Sequence, residues 1–493
     1  MLKFALSAIA CVLFLFFGGF IAGVALHDPD TCWLLGLGRW IVEHHCLPIT
    51  DPFSSGVSGY ASVGTGLPLM QYQWAAEILF YAASAIFGLN GLIVLSALLL
   101  FVAYALLPWN LLMRSGTPDM VSAALIVSAV ILSSSRFLAR PQLFTFLFLS
   151  ALLDVLLARD AIDKDALKRQ AIWCAAIMLL WANTHIFFPL GVGLLWLVFA
   201  CRAAQGFLDK RPHLPWPNWL AIPAVGTAAT LVNPWGIGLW VYFFRILRST
   251  INPLVSENGA LPPTDISALF LFGLSFFTAI LCMRKTRQAA RIIPPPISIV
   301  FITLSIFIGI GHSRLIALCP LLLIGAVSES FCAGGLTLPV SCQPAQTARM
   351  HLLNAVVVVL GALLVAGILP PTLPQGSAAF HPPFKAIDYL KQHRPAGQIL
   401  NDPQFGSMMD FYCEKPDVFI DTRFSMFEEQ RVADYQRLAL LQPGWQEILD
   451  HYRFDWAFLP PGQPLAQRLA QNGWVVQYQD ADATILTLPR KAQ

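Results

Sequence analysis

Charge is what this sequence lacks. Of its 493 residues only 12% are charged, while 56% are hydrophobic; soluble domains carry about 25% charged residues. The shortage is uneven. Residues 1–370 hold 20 of the 31 Lys and Arg, and long tracts there hold none. Such a surface would be poorly solvated by water, whereas a bilayer accepts it if each spanning segment satisfies its own backbone as a helix. A formal net charge of +3, with basic residues scattered through loops, argues against a nucleic-acid partner. The ten cysteines include no C-x-x-C pair, which excludes a zinc ribbon and a thioredoxin-type motif. No internal repeat is present, and the C-terminal quarter has no Gly-rich phosphate loop and no G-x-S-x-G elbow.

What is present is a series of long apolar runs. Windows of about twenty residues place spans at 4–26, 91–113, 118–135, 142–158, 171–184, 187–204, 218–233, 266–283, 296–311, 315–332 and 351–369. The expected fold is an α-helical polytopic membrane protein of roughly eleven transmembrane helices, residues 1–370, followed by a soluble α/β domain, residues 371–493. The apolar run that follows Lys3 is too long for a cleaved signal peptide and reads as a signal anchor.

Residues 71–88 could be a twelfth span or a helix on the membrane surface. Charge decides. Without that crossing, 14 Lys and Arg of the first 370 residues fall on one side and 6 on the other. The richer side belongs in the cytoplasm, so the N-terminus is inside and the C-terminal domain is outside. In a bacterium that means the inner membrane and the periplasm. Residues 27–90 become an outer loop with two surface helices, about 32–45 and 71–88, whose Trp33, Trp40, Tyr72, Trp74 and Tyr81 suit the membrane interface. Cys32 and Cys46 share that loop, as a disulfide or as two free thiols.

Beyond the stiff LPPTLPQG linker (369–376), residues 384–393 read as a helix, GQIL and DVFID as strands, and 425–442 and 444–452 as amphipathic stretches. WAFLP, WVVQYQ and ATILTL read as strands, and PLAQRLAQ as a helix. Helices alternating with short strands give a layered α/β domain.

The strongest local signal for chemistry is Asp28-Pro29-Asp30, just after the first span. Two carboxylates two residues apart can share a divalent cation such as Mg or Mn, or one can act as a base while the other binds. The plainer reading is a polar stop with an N-cap for the next helix. Arg136, Arg140 and Arg314 fall on the charge-poor outer side, where arginine is suited to bidentate phosphate contacts or to snorkelling toward headgroups. Asn183 and His185 lie at the outer end of the fifth span and Asn233 at that of the seventh, lining a cavity or making helix caps and interhelical hydrogen bonds. Glu77, in the second surface helix, is either a functional carboxylate or a residue facing headgroups. Asp154 and Asp163 fall at the cytoplasmic edge and read as structural. Asn401-Asp402 and Asp421-Thr422-Arg423 either recognise an acceptor glycan or hold the C-terminal domain together.

In order along the chain, Asp28-Pro29-Asp30, Gly38, Trp40-Ile41, Trp74 with Glu77, Asn183-x-His185, Asn233-Pro234-Trp235-Gly236 and Val418-Phe419-Ile420-Asp421-x-Arg423 resemble a divergent bacterial branch of the GT-C superfamily. These are integral-membrane glycosyltransferases using polyprenyl-phosphate-linked sugars, including protein O-mannosyltransferases and aminoarabinose transferases. The resemblance runs nearly the whole length. It departs where the family's W-W-H-L is Cys32-Trp33-Leu34-Leu35 and its E-W-L is Gln73-Trp74-Ala75, so a histidine is absent and the carboxylate moves to Glu77.

The resemblance implies sugar transfer from a polyprenyl-phosphate donor to a glycan, lipid or protein acceptor at the periplasmic face. Asp28 would be the base and Asp30 its partner or a metal ligand. Arg136, Arg140 and Arg314 would meet the phosphate, with Asn183, His185, Asn233 and Glu77 as substrate contacts. The alternative is a non-catalytic binder, flippase or transporter of lipid-linked saccharides.

Overall fold

A computed structural model describes residues 17–19, 28–54, 70–157, 164–208, 216–248, 259–289, 292–333 and 381–489. Most of the expected span 4–26, the span 351–369 and the linker 369–376 lie outside the described residues. The chain forms two compact units. The first comprises residues 1–22, 89–240 and 252–371; the second comprises 23–88, 241–251 and 372–493.

Helices dominate, and five of those described are long and apolar enough to cross a membrane: Trp74–Arg114, Asp119–Arg136, Phe188–Phe207, Ile266–Gln288 and Ser313–Cys332. Three shorter apolar helices accompany them, Gln142–Leu156, Trp219–Ala229 and Pro296–Gly311. The chain is thus a helical membrane protein, with five candidate spans among the described residues where the hydropathy windows place more. The helix Lys164–Thr184 illustrates the difference. Its first turns carry Lys164, Asp165, Lys168 and Arg169, and the apolar remainder covers only about 21 Å at 1.5 Å per residue, short of a hydrocarbon core of about 30 Å.

Within the first unit, side-chain hydroxyls tie helices to the carbonyls of their neighbours. The Tyr104 hydroxyl donates to the Ala317 carbonyl at 2.7 Å and Ser298 to that of Ala326 at 2.8 Å. Such bonds satisfy groups that lipid cannot. Ser150 donates to the Ala103 carbonyl at 2.7 Å, inside a five-residue π-type turn at Val102–Leu106, where the widened helix frees a carbonyl for an outside donor. At the cytoplasmic edge of the expected topology, Arg114 pairs with Asp154, which also accepts from Asn110 at 3.2 Å. Asp154 is structural, as its position suggested.

The helix beginning at Trp74 changes direction at Gly88, whose φ of 62° and ψ of −156° lie outside helical space. Only glycine adopts that geometry without strain. The break falls where residues 71–88 were expected to end as a separate helix.

In the second unit, four strands, β1 (Ile399–Asn401), β2 (Trp456–Leu459), β3 (Val475–Gln479) and β4 (Thr484–Thr487), form one sheet in the order β1-β2-β4-β3. β1 and β2 run parallel, the other pairs antiparallel. Parallel pairing requires a long crossover, supplied by the helices Pro403–Tyr412, Glu429–Ala439 and Trp445–Tyr452. Strand alternation then sorts the core. Ile399, Trp456, Phe458 and Ile485 face a cluster with Ile387, Leu390, Phe405 and Met408. Leu400, Ala457, Leu459 and Leu486 face Val432, Leu438, Ile448 and Leu469. The result is helices on both faces of a small sheet. The helix expected at PLAQRLAQ is Pro464–Gln471.

One expected strand is different. DVFID does not join the sheet; Val418 makes an isolated parallel bridge with Ser54. The backbone of this segment is satisfied by a side chain instead. Asn401 Oδ1 accepts from the Phe419 amide at 2.8 Å and its Nδ2 donates to the Ile420 carbonyl at 2.6 Å, which removes the need for a neighbouring strand.

Candidate functional site

The acidic motif sits at the start of the helix Asp30–His44, in the second unit. Asp28 is buried, and its Oδ1 accepts the Asp30 amide at 3.2 Å. The Asp28 carbonyl accepts the Thr31 amide at 3.1 Å as well, so Asp28 folds the chain into the first turn of this helix, whose N-cap position is Pro29. Asp30 is more constrained than a cap. Its Oδ1 accepts from the Trp33 indole at 3.1 Å and from the Thr422 hydroxyl.

Thr422, half-buried, belongs to the Asp421-Thr422-Arg423 element, whose two charged residues are buried and bonded within the domain. Arg423 is 5% exposed. It donates to both oxygens of Asp51, at 3.0 and 3.1 Å, and to both of Asp421. Its guanidinium lies over the rings of Phe53 and Trp33, at 5.3 and 5.8 Å. Asp410, fully buried, lies 4.0 Å from Arg423 and has no hydrogen-bond partner for either oxygen among the described residues.

The electrostatics follow from that burial. Desolvation pushes Asp410 well above the usual carboxylate range, and the neighbouring Asp421 adds to it. Asp421 is raised by burial too, with Arg423 opposing. Burial alone would lower Arg423, but Asp421, Asp51 and Asp410 outweigh it and hold the guanidinium well above its ordinary value. Burial, then the charges of Asp28, Asp410 and Asp30, raise the Cys32 thiol far above its usual range. Cys32 and Cys46 are both free, and a thiol so raised is a poor nucleophile.

Glycines permit this assembly. A Cβ on Gly36 would stand 2.6 Å from the Asp410 carbonyl oxygen, and one on Gly406 would strike the Ile420 carbonyl. Gly38 lies equally close to the Glu77 backbone. Glu77 itself is fully buried, and neither of its carboxylate oxygens is hydrogen-bonded among the described residues. It does not face headgroups. Asn401 and Asp402 serve the domain's interior: Asp402 caps the next helix through the Gln404 amide at 2.9 Å and accepts from the Tyr435 hydroxyl at 2.8 Å.

The remaining candidates belong to the first unit. Arg136 donates to Ser313 at 3.2 Å, next to Arg314, whose guanidinium lies 5.7 Å from the Phe187 ring. Phe187 meets His185 edge-on at 4.9 Å, and His185 Nδ1 shares a 2.7 Å hydrogen bond with Thr145, which also accepts the Trp181 indole at 3.0 Å. Arg136, Arg314 and His185 are therefore neighbours within one unit. Asn183 links Leu179 and Val232 carbonyls at 2.8 and 2.9 Å, and Asn233 closes a turn through Thr230, Trp235 and Gly236. Both asparagines have structural work. Arg140 lies in the turn after Arg136, where its amide donates to the Leu138 carbonyl at 2.8 Å.

Sequence reasoning passed over Asp51, Ser407 and Asp410. Asp51 lies in the same loop, 27–90, as the acidic motif, whereas Ser407 and Asp410 lie in a helix buried on most of its sides. Among the described residues no group of three or more His, Cys, Asp or Glu is placed to hold a metal ion. Two carboxylates fit magnesium only when water and substrate phosphate complete its octahedron.

No family of known proteins matches the sequence, and no curated protein does. Solved structures are similar to it. One is the oligosaccharyltransferase of Archaeoglobus fulgidus in its apo form, with a TM-score of 0.49 and 11% identity, over 92% of this chain and 69% of that one. Two more are of ArnT from Cupriavidus metallidurans, bound to undecaprenyl phosphate (TM-score 0.45, 11% identity) and apo (0.44, 12%). Each of these covers 98% of this chain and 97% of its own.

Proposed function

We infer that this protein transfers a sugar from a polyprenyl-phosphate-linked donor to an acceptor hydroxyl at the outer face of a bacterial inner membrane. Asp28 takes the acceptor's proton. The acceptor oxygen then bonds to the anomeric carbon, the bond from that carbon to the phosphate oxygen breaks, and the polyprenyl phosphate leaves. Asp30 orients the motif. Arg136 and Arg314, with Arg140, are assigned to the departing phosphate, whose charge guanidinium groups stabilise. In this reading His185, Asn183 and Asn233 would contact substrate beside their structural bonds, and the fully buried Glu77 would do so only through its neighbours. Asp28 and Asp30 would be the residues to hold a divalent cation, which would supply positive charge for the substrate phosphate.

The observation that carries the reading is the restraint on Asp30. A polar stop to a helix needs only water, whereas Asp30 Oδ1 is fixed by two donors, from Trp33 and Thr422. Fixed geometry of this kind is what a reacting constellation requires.

The test uses purified full-length protein in lipid nanodiscs with a panel of radiolabelled undecaprenyl-phosphate sugars. Acceptor-dependent release of undecaprenyl phosphate is expected, abolished in Asp28→Asn while that variant remains folded. Donor binding with no turnover by the wild type would replace this reading with the binder or flippase. Full activity in Asp28→Asn would overturn the assignment of the base. Reporter fusions at residues 159–169 that lie outside would overturn the outer-face orientation.

A further inference from the structure

The geometry points to Asp421-Thr422-Arg423 as a positioning element, in which a chain of hydroxyls from Ser407 through Thr422 fixes the orientation of the Asp30 carboxylate. The inference deepens the transferase reading, since it says what holds the acidic motif in place.

The direction of the hydrogen bonds follows from donor chemistry. An aspartate carboxylate oxygen accepts, so the Thr422 hydroxyl spends its one proton on Asp30 Oδ1. The 2.8 Å contact between the Ser407 and Thr422 hydroxyls must then run from Ser407 to Thr422. Ser407 Oγ is in turn oriented by the Thr422 amide, which donates to it at 3.1 Å. The relay is polarised toward Asp30, and bonds in series strengthen one another. The Trp33 indole completes the grip on the same oxygen at 3.1 Å.

The backbone around the relay is held independently. Arg423 forks onto Asp51, Ser54 donates to Asp51 at 2.5 Å, and the Val418 amide donates to the Phe53 carbonyl at 2.9 Å. Residues 51–54 and 418–423 are thereby clamped together. The helix Asp30–His44 approaches the helix Pro403–Tyr412 closely enough that Gly36 meets the Asp410 carbonyl. All of these residues belong to the second unit. Among the described residues the Thr422 hydroxyl bonds Asp30 and Ser407, and Ser407 bonds Thr422. They act through Asp30 and are positioning residues.

The experiment compares Thr422→Val, Thr422→Ser and Ser407→Ala in the full-length protein in nanodiscs, by hydrogen–deuterium exchange and steady-state kinetics. Thr422→Val is expected to speed exchange of the amides at 30–33 about tenfold and to lower kcat about ten- to hundredfold with KM unchanged. Thr422→Ser is expected to restore both, and Ser407→Ala to fall between. Exchange needs no turnover. Loosened amides in a protein with no transferase activity would uphold the positioning element while the transferase reading fails. Unchanged exchange in Thr422→Val would overturn the inference, as would a Thr422→Ser variant that behaves like Thr422→Val. So would loosened amides with wild-type kcat in an active enzyme. If Thr422→Val does not fold, Ser407→Ala decides by the same two readouts.

Discussion

Arg423 and Asp51, 372 positions apart in sequence, form a two-pronged ion pair with Nη1 on Oδ1 and Nη2 on Oδ2. Asp421 is bound by the same guanidinium, so the two partners are not equivalent on removal. Arg423→Leu leaves buried carboxylates without their cation and should cost about 3–5 kcal/mol. Asp51→Ala leaves Arg423 paired with Asp421 and should cost roughly half as much. Thermal unfolding in detergent, followed by tryptophan fluorescence, measures both. Equal losses would mean that Asp421 contributes nothing to holding the arginine.

Asp410 makes the second unit sensitive to pH. Its carboxyl is held well above the usual range by burial, so the folded chain keeps it neutral where the unfolded chain ionises it. The stability this gives is fully present below about pH 4 and is lost as pH rises through the raised folded value. Asp410→Asn keeps the shape and cannot titrate. It should match the wild type near pH 4 and exceed it in Tm by about 3 °C or more at alkaline pH. A gap that stays constant from pH 4 to 9 would show that Asp410 does not change its proton on unfolding.

The sequence made the membrane class and the layered C-terminal domain legible, because apolar run length and period-two alternation are local properties. PLAQRLAQ and WAFLP appear as the helix and strand their patterns suggested. DVFID misled because its apolar run is buried as a strand would be, while the backbone partner is the Asn401 side chain. For the candidate site, the motifs could be read in the sequence and the wiring could not. Asp30, Asp421 and Arg423 all stood out, but nothing local says that Thr422 reaches Asp30 across 392 positions. Asp410 was invisible for the same reason: its burial comes from residues distant in sequence.

The close approach at Gly36 is specific to the absence of a side chain. Its added Cβ would meet a backbone oxygen, Asp410 O, at 2.6 Å and the Phe53 ring at 3.2 Å. Backbone cannot swing aside as a flexible side chain can. Gly36→Ala should therefore destabilise the second unit by about 1–3 kcal/mol, and Gly406→Ala, against the Ile420 carbonyl, by a similar amount. Gly462 has open space around its Cβ position, so Gly462→Ala should lie within about 0.5 kcal/mol of the wild type. Denaturant titration in detergent separates the three. A Gly36→Ala variant as stable as Gly462→Ala would mean that the two helices are not in contact at that point.

The first unit carries a charge pair that hydropathy alone does not show. Arg202 Nη1 and Nη2 donate to Glu329 Oε1 and Oε2 at 2.7 and 2.9 Å, joining the helices Phe188–Leu208 and Cys319–Ala333. The Glu329 side chain is 4% exposed and that of Arg202 16%. Each charge compensates the other's loss of solvent, so removing one leaves the other uncompensated, at about 3–5 kcal/mol. Arg202→Gln and Glu329→Gln should each lower the Tm of the detergent-solubilised protein, and the double variant should lose much less than their sum. The exchanged pair, Arg202→Glu with Glu329→Arg, should recover part of the loss because the fork can form in either direction. Strict additivity in the double variant would show that the two residues contribute separately, and the pair could not then be what joins these helices.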